Sequence, residues 1–172
     1  MTTVTTQMNN VEIGKVASLA EKIASEPQVA KTTWRADVRW NGGFRSEAQV
    51  RDFAPSKSDE PAQLGGTDTG PNPVEQLLSA LGNCLAVGYA ANATAAGITI
   101  QDMKIEVEGN LDLHTFLGLK DGNAGFSDIS VQVSMDSDGS DEALQALHKK
   151  VIATSPVGHT LGRVVPLSIE MA

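Results

Sequence analysis

The sequence predicts an α+β fold in which an antiparallel sheet packs on a long central helix. Segments typical of strands occur in pairs between helical segments, and this grouping favours α+β over a doubly wound parallel sheet. In the middle of the chain, residues 74–93 are apolar or small on nearly every side of a helix, which is typical of a buried helix. The expected order of elements is α-β-β-α-β-β-α-β, with no internal repeat and no domain break.

The chain opens with a polar segment and an amphipathic helix. Residues 1–9 are polar and rich in threonine, which predicts disorder. They lack the basic region and the apolar core of a signal peptide, so none is expected. Apolar side chains from Val11 to Ile23 recur at helical spacing, which predicts a helix that ends before Pro27.

Two strands joined by a turn follow this helix. Residues 31–40 and 44–53 have the composition of strands, and Asn41–Gly42–Gly43 between them is a hairpin signal. Residues 54–73 are rich in proline and glycine and predict a loop. A loop of this length in a compact domain is usually functional, and often a lid.

The central helix is expected to begin at Pro73, because proline is favoured in the first turn of a helix. Gly97 is its expected C-terminal stop. One side carries a stripe of mostly large apolar residues, and the reverse side is small. The stripe comprises Val74, Leu77, Leu78, Leu81, Leu85 and Gly88, and the small residues are Ala80, Ala86, Ala90, Ala91 and Ala93.

The rest of the chain predicts three strands and one helix. Apolar residues indicate strands over residues 98–110, 127–135 and 164–171. Residues 111–125 form either a connection between the first two or a second part of that hairpin, and the third strand completes the sheet. Ser140 or Asp141 is expected to cap the intervening helix, which Pro156 would end.

Composition and charge exclude several classes of protein. A formal net charge of −8 argues against a general surface for nucleic acid or for anionic membranes. No uninterrupted apolar run approaches the roughly 18 residues of a transmembrane helix. His114, His148 and His159 are too scattered to suggest a zinc site, and no glycine-rich phosphate loop is present. We therefore expect no metal, no organic cofactor, no nucleic-acid partner and no membrane association.

The candidate chemistry centres on Cys84, the only cysteine of the chain. One thiol cannot form an internal disulfide, so any redox chemistry is one-cysteine, intermolecular or absent. An unpaired thiol fits a reducing compartment, which predicts a cytoplasmic location. A free cysteine on an apolar helix is most often a small buried hydrophobe, so a structural role is the simple alternative.

Two motifs carry a family resemblance. Gly70–Pro71–Asn72–Pro73, followed by Glu75, a Leu/Ala stretch and Cys84, resembles the central helix of the OsmC/Ohr family. The run Ser155–Pro156–Val157–Gly158–His159–Thr160–Leu161 resembles a later turn of the same family. The resemblance implies an OsmC-like domain over residues 31–172, with residues 1–30 as an N-terminal extension. It also implies an intertwined homodimer whose two pockets are lined by both chains.

The resemblance implies a thiol chemistry with one departure. Well-known members are thiol-dependent hydroperoxide reductases linked to oxidative or osmotic stress, and they pair a peroxidatic cysteine with a resolving cysteine. Cys84 matches the first cysteine, but Ser155 stands at the position of the second. A hydroxyl cannot attack a sulfenic acid to form a disulfide, so an external thiol would have to regenerate Cys84.

A reactive Cys84 would need a nearby cation. The thiolate is the nucleophile, and an unperturbed thiol with a pKa of ~8.5 is mostly protonated at neutral pH. Cys84 lies too far along its helix to benefit from the N-terminal dipole. The resemblance points to Arg45 or Arg39, which flank the hairpin turn, and Arg45 is favoured because it follows the two glycines. A solvated arginine on a strand is the alternative for either residue.

Two further side chains are candidates for the site. Glu75 would orient the arginine and accept a proton, although the family has its acid one residue earlier, about 100° around the helix. Otherwise Glu75 is a favourable first-turn acid. His159, on the same turn as Ser155, would pair with the thiol or gate the pocket, or would be a surface or capping histidine.

Two functional hypotheses follow from these residues. In the first, the protein reduces organic hydroperoxides with Cys84 as its single peroxidatic thiol and uses an external thiol as reductant. In the second, it has lost peroxidase activity and binds a small apolar ligand or senses redox state. The reactivity of Cys84 toward peroxides distinguishes the two.

Overall fold

The computed structural model describes residues 7–171 and confirms the α+β class. Contacts within the chain divide it into two compact units. One unit comprises residues 14–77, and the other comprises the residues before and after them. A boundary at residue 31 stays a prediction, and the disorder expected for residues 1–6 lies outside the described part.

Five α-helices and five strands follow one another among the described residues. In chain order they are α1 (Ile13–Ser25), β1 (Asp37–Trp40), β2 (Ser46–Gln49), β3 (Ser56–Ser58), α2 (Pro73–Ala95), β4 (Ile100–Asn110), α3 (Leu113–Phe116), β5 (Asp128–Ser137), α4 (Asp141–Thr154) and α5 (Pro156–Leu161). Helix α3 lies in the segment 111–125, for which the sequence predicts a connection or a part of the hairpin but no helix.

The unit of residues 14–77 contains a small antiparallel sheet in the order β1-β2-β3. The predicted hairpin is confirmed, with Trp40 opposite Ser46 and Asp37 opposite Gln49. Its turn requires glycine, because Gly42 has a φ of 90° that side chains rarely tolerate. Both strands are shorter than predicted. β2 ends before Arg51, where a positive φ of 49° turns the chain away.

The loop 54–73 is organised around Asp59, whose residue surface is only 1% exposed. Its carboxylate accepts hydrogen bonds of 2.6–3.2 Å from the backbone and hydroxyl groups of Thr67 and Thr69, and from the backbone of Glu60. The bond from the Thr67 hydroxyl, helped by Thr69 and Glu60, holds the pKa of Asp59 well below its ordinary value against the opposing effect of burial. A buried carboxylate with this many donors fixes the loop.

The same loop depends on a close backbone approach at Gly66. A Cβ atom at this position would lie 1.7 Å from the carbonyl oxygen of Glu60. No side chain fits this gap, so the approach requires glycine. The loop also contributes β3, which pairs with β2 and which the sequence does not predict.

The start of α2 is fixed by a capping box at the Asn-Pro motif. The Oδ1 atom of Asn72 accepts a 3.0 Å hydrogen bond from the backbone N–H of Glu75, and the Glu75 carboxylate accepts a 2.8 Å bond from the backbone of Asn72. This reciprocal pair satisfies two free donors at the helix start. Pro73 occupies the first turn, as the sequence predicts.

The second unit has its core where α2 and α4 pack with the β4–β5 hairpin. Its buried hydrophobic residues are Leu81, Leu85, Tyr89, Ala93, Ile98, Leu147 and Val151. Each large apolar side chain removed from water contributes about 1.5–3 kcal/mol. On α2 the buried residues recur at every fourth position. Ala93 therefore lies on the core side, whereas the sequence placed it on the reverse side.

The predicted end of α2 and the hairpin that follows are confirmed. Gly97 has a φ of 75°, and the backbone N–H of Ile98 donates to the carbonyl of Ala93. Asn9 reinforces this corner through hydrogen bonds of 2.8–3.0 Å to Thr94, Ile98 and Ile100. Residue 9 is therefore ordered, in contrast to its expected disorder.

Helices α4 and α5 meet at Ser155. Ser140 caps α4 as predicted, with its Oγ accepting a 3.3 Å bond from Ala143. Helix α4 ends at Thr154, and Pro156 then begins α5 instead of only ending a helix. Ser155 thus serves both as the C-cap of α4 and as the N-cap of α5.

The prediction of a strand over residues 164–171 is wrong for the single chain. No secondary structure is present there, and no strand pairs with this segment. Leu167 and Ile169 are 83% and 85% exposed. The alternating pattern is typical of a strand, but a strand also needs a neighbouring edge that supplies its hydrogen bonds.

Candidate functional site

Cys84 is a half-buried free thiol on α2, about three turns from the start of the helix. Its Sγ atom lies 3.3 Å from the Oγ atom of Ser155. The structure therefore brings together the only cysteine and the residue that stands at the position of a second one.

Ser155 is 5% exposed and makes two side-chain hydrogen bonds. Its Oγ accepts a 3.1 Å bond from the backbone N–H of Gly158 at the start of α5. Because this bond uses an oxygen lone pair, the hydroxyl proton remains available to the sulfur of Cys84. The Ser155 hydroxyl can therefore act as a hydrogen-bond donor to this sulfur.

A cavity of about 440 Å³ opens beside Ser155. Residues from α2, β5, α4 and the α5 region line it: Leu81, Leu85, Tyr89, Val131, Val133, His148, Ile152, Ser155, Gly158, His159, Gly162 and Arg163. Five of these residues are aliphatic, five carry a polar group and two are glycines. The cavity can therefore hold a small organic molecule whose polar end approaches Ser155.

His159 lies at this cavity, as the resemblance implies. Its Nε2 atom donates a 3.0 Å hydrogen bond to the backbone carbonyl of Ala153, since a carbonyl only accepts. This bond ties the exposed ring to the end of α4. The predicted pairing of His159 with the thiol stays a prediction.

Three residues of the cavity are not predicted from the sequence. The Tyr89 hydroxyl and the His148 Nδ1 atom form a short hydrogen bond, and their rings stack with centroids 6.1 Å apart. Arg163 follows α5. Tyr89 lies four residues after Leu85 on the same side of α2, and this helical spacing could have indicated that Tyr89 faces the core. His148 and Arg163 are far from Tyr89 in sequence and carry no comparable signal.

Arg45, Arg39 and Glu75 belong to the unit of residues 14–77. Arg45 is exposed in the hairpin loop, and its Nε donates a 3.3 Å bond to the carbonyl of Gly42. Arg39 is exposed on β1, opposite Glu47. Glu75 is engaged in the capping box. The roles assigned to these three residues toward the thiol stay predictions.

Within residues 7–171, no group of three or more His, Cys, Asp or Glu side chains is arranged to hold a metal ion. Among the described helices, none combines the length and the apolar character needed to cross a bilayer.

Solved structures with the same fold are found in several bacteria. An OsmC-like protein from Mycoplasma pneumoniae matches with a TM-score of 0.68 at 23% identity, over 78% of this chain and 90% of that one. An organic hydroperoxide resistance protein OsmC from Legionella pneumophila matches with a TM-score of 0.58 at 16% identity, over 76% and 91%. An organic hydroperoxide resistance protein from Elizabethkingia anophelis matches with a TM-score of 0.54 at 18% identity, over 75% of this chain and 89% of that one. Because all three sequence identities are below 25%, this structural similarity establishes the fold and nothing more.

Family membership rests on the sequence. A search of curated proteins finds no match. The family model described as OsmC-like protein matches residues 66–170, which is more than half of the chain. The match includes the helix of Cys84 and the turn of Ser155. The chain therefore belongs to the OsmC-like family.

Proposed function

We propose that the protein reduces organic hydroperoxides with Cys84 as its only redox-active thiol. The observation that carries this proposal is the 3.3 Å contact between Cys84 and Ser155. Ser155 lines a largely apolar cavity, whereas Cys84 contacts Ser155 but does not itself line the cavity. An apolar cavity favours an organic peroxide over hydrogen peroxide. Proteins of the same fold from two bacteria are named organic hydroperoxide resistance proteins.

The proposed reaction uses one thiol in two stages. The Cys84 thiolate attacks the distal peroxide oxygen, the O–O bond breaks, and the alkoxide leaves as an alcohol after it takes up a proton. The resulting sulfenic acid condenses with an external thiol to give a mixed disulfide and water. A second external thiol releases Cys84 and carries away the disulfide. Such thiols are supplied by a reducing compartment, and we propose the cytoplasm.

Ser155 would act on the thiol without replacing a resolving cysteine. Its hydroxyl can donate to the Cys84 sulfur while Gly158 donates to its oxygen. This arrangement places a hydroxyl beside the sulfur that attacks the peroxide. The Ser155 hydroxyl has no route to a disulfide, which is why the external thiol is part of the proposal.

The decisive experiment compares the oxidation of Cys84 by cumene hydroperoxide and by hydrogen peroxide as a function of pH. Mass spectrometry of the trapped sulfenic acid gives the rate. We expect faster reaction with the organic peroxide than with hydrogen peroxide. Cys84→Ser abolishes peroxide-dependent thiol consumption. A rate equal to that of a free thiol overturns the proposal and leaves a binding or sensing role.

Glu75 permits a separate test of its proposed acid–base role. Glutamine can replace glutamate in a capping box, so Glu75→Gln keeps the helix cap and removes the carboxylate. We expect a slower peroxide reaction at unchanged stability. Glu75→Ala removes both the carboxylate and the side-chain cap of α2, and it is expected to lower the free energy of unfolding as well. If Glu75→Gln reacts at the wild-type rate, Glu75 is only a helix cap.

The proposed cation is tested by charge removal. Arg45→Gln and Arg39→Gln each remove one exposed guanidinium from the same hairpin. We expect one of them, Arg45→Gln, to slow the oxidation of Cys84, and the other to serve as its matched control. Equal rates for wild type and both variants would assign neither arginine to the reaction.

We also propose a homodimer. Trp34 is 82% exposed, and the C-terminal segment from residue 164 to 171 presents apolar side chains without a strand partner. Large exposed apolar surfaces of this kind are typical of interfaces. A second copy of the chain is the partner that the family resemblance implies.

A further inference from the structure

The cavity beside Ser155 has apolar walls of a size suited to a small organic ligand. Its apolar side chains come from three elements and comprise Leu81, Leu85, Val131, Val133 and Ile152. A volume of about 440 Å³ falls in the range of roughly 300–1,000 Å³ that is usual for small-molecule sites. These apolar walls favour a ligand with a hydrocarbon body, but they do not determine which polar group the ligand carries.

The charged groups at the cavity are all potential cations. Among the described residues, no Asp or Glu lines it, although the chain has a formal net charge of −8. Arg163, His148 and His159 line it. The Arg163 guanidinium makes no hydrogen bond or ion pair with any described residue. An unengaged guanidinium beside apolar walls is suited to a carboxylate, which it can bind through two parallel hydrogen bonds.

The Tyr89–His148 pair adds a hydrogen-bond donor in every protonation state. When the phenol donates to Nδ1 of the neutral ring, the Nε2–H remains free. When Nδ1–H donates instead, the phenol O–H is free, and in the charged ring both groups are free. Burial raises the pKa of Tyr89, so the phenol adds no negative charge at neutral pH.

We propose that this cavity binds a small apolar organic acid. The hydrocarbon chain packs on the leucine and valine walls, and the carboxylate binds at Arg163 and the Tyr89–His148 pair. Binding does not require the thiol, so the proposal goes beyond the proposed peroxide reaction and is tested without it.

The test uses Cys84→Ser protein, octanoate and 1-octanol, with titration calorimetry. We expect octanoate to bind at least about tenfold more tightly than the alcohol, because a bidentate charged contact is worth about this factor. Arg163→Gln in the same background removes the preference and leaves the affinity for 1-octanol unchanged. Arg163→Lys keeps the charge and restores part of the preference. Tyr89→Phe weakens octanoate binding less than Arg163→Gln does.

Lys149→Gln is the matched control, because Lys149 is exposed on α4, lies outside the cavity lining and carries the same charge. Circular dichroism establishes that each variant is folded. The proposal is overturned if octanoate does not bind, if it binds no more tightly than 1-octanol, or if Arg163→Gln behaves like Lys149→Gln. None of these results bears on the reaction of Cys84 with peroxides.

Discussion

At the scale of single residues, the contact between Cys84 and Ser155 predicts that a second thiol would complete a redox pair. In Ser155→Cys, the introduced thiol would lie close to the Cys84 sulfur, because the present Sγ–Oγ distance is 3.3 Å. After one equivalent of organic hydroperoxide, we expect an intramolecular disulfide, formed from the sulfenic acid with loss of water. Intact mass spectrometry would show the loss of two hydrogen atoms from the reduced protein.

The control for this variant is Ser155→Ala, which offers no second thiol and should retain the sulfenic acid until an external thiol is added. If Ser155→Cys forms only disulfides between chains, the two side chains are not close in solution.

The hydrogen bonds to Asp59 lead us to expect that the free energy of unfolding depends on pH in the acid range. Its hydrogen bonds hold the pKa below the ordinary value of 3.8. The folded state therefore keeps the carboxylate ionised at a pH where the unfolded chain takes up a proton. The stabilisation is complete above about pH 4 and is lost as the pH falls below that value toward the folded pKa.

Asp59→Asn should remove this dependence and lower the urea midpoint at neutral pH, because the amide cannot accept the same donors. Urea denaturation followed between pH 2 and 7 measures both effects, with Asp68→Asn as control. Asp68 is an exposed acid of the same loop with a φ of 55°, a conformation that asparagine tolerates. Equal pH profiles for the wild type and Asp59→Asn would contradict the prediction.

At the scale of elements, the close backbone approach at Gly66 predicts that the loop before α2 cannot accept a side chain at this position. In Gly66→Ala the new Cβ would lie 1.7 Å from a backbone oxygen, so the loop must move and the donors of Asp59 move with it. We expect a loss of at least about 2 kcal/mol in the free energy of unfolding, measured by urea denaturation.

Gly14→Ala is the comparison for that loss. Gly14 lies in α1 with no atom within 4 Å of an added Cβ. Alanine should stabilise this helix by about 0.5–1 kcal/mol. A similar change in both variants would mean that the close approach at Gly66 does not matter for stability.

Elements with a strong local pattern could be predicted from the sequence, and elements fixed by distant partners could not. Helix α2 was predicted from its apolar character, from Pro73 and from Gly97, and the β4–β5 strands from their alternation. Strand β3 is three polar residues that pair with β2, so nothing local marks it. The segment 164–171 has the pattern of a strand, but no described strand pairs with it, and pairing depends on a partner that the local pattern does not reveal.

The candidate site shows the same limit. Cys84 and Ser155 are 71 residues apart, and only the family resemblance indicated that they meet. The Tyr89–His148 contact joins residues 59 apart, with no pattern that links them. The capping box was not predicted, although Asn72 followed three residues later by Glu75 is close to its usual sequence signal.

At the scale of the whole molecule, the C-terminal segment predicts the state of association. We expect a dimer by light scattering after size exclusion. The pair of changes Leu167→Asp and Ile169→Asp should shift the mass toward that of one chain, because charge at an apolar interface is costly to desolvate. Ser168→Asp, which adds a charge in the same segment but removes no apolar side chain, should remain dimeric. A wild-type protein with the mass of one chain would overturn the proposed dimer.

The solitary thiol of Cys84 also makes the chain a ready substrate for site-specific labelling. No other cysteine has to be removed before a thiol-reactive fluorophore is attached. A dye on Cys84 would sit next to Ser155, and Ser155 lines the cavity. Its emission would report directly on whether the cavity is filled with water or with an apolar molecule.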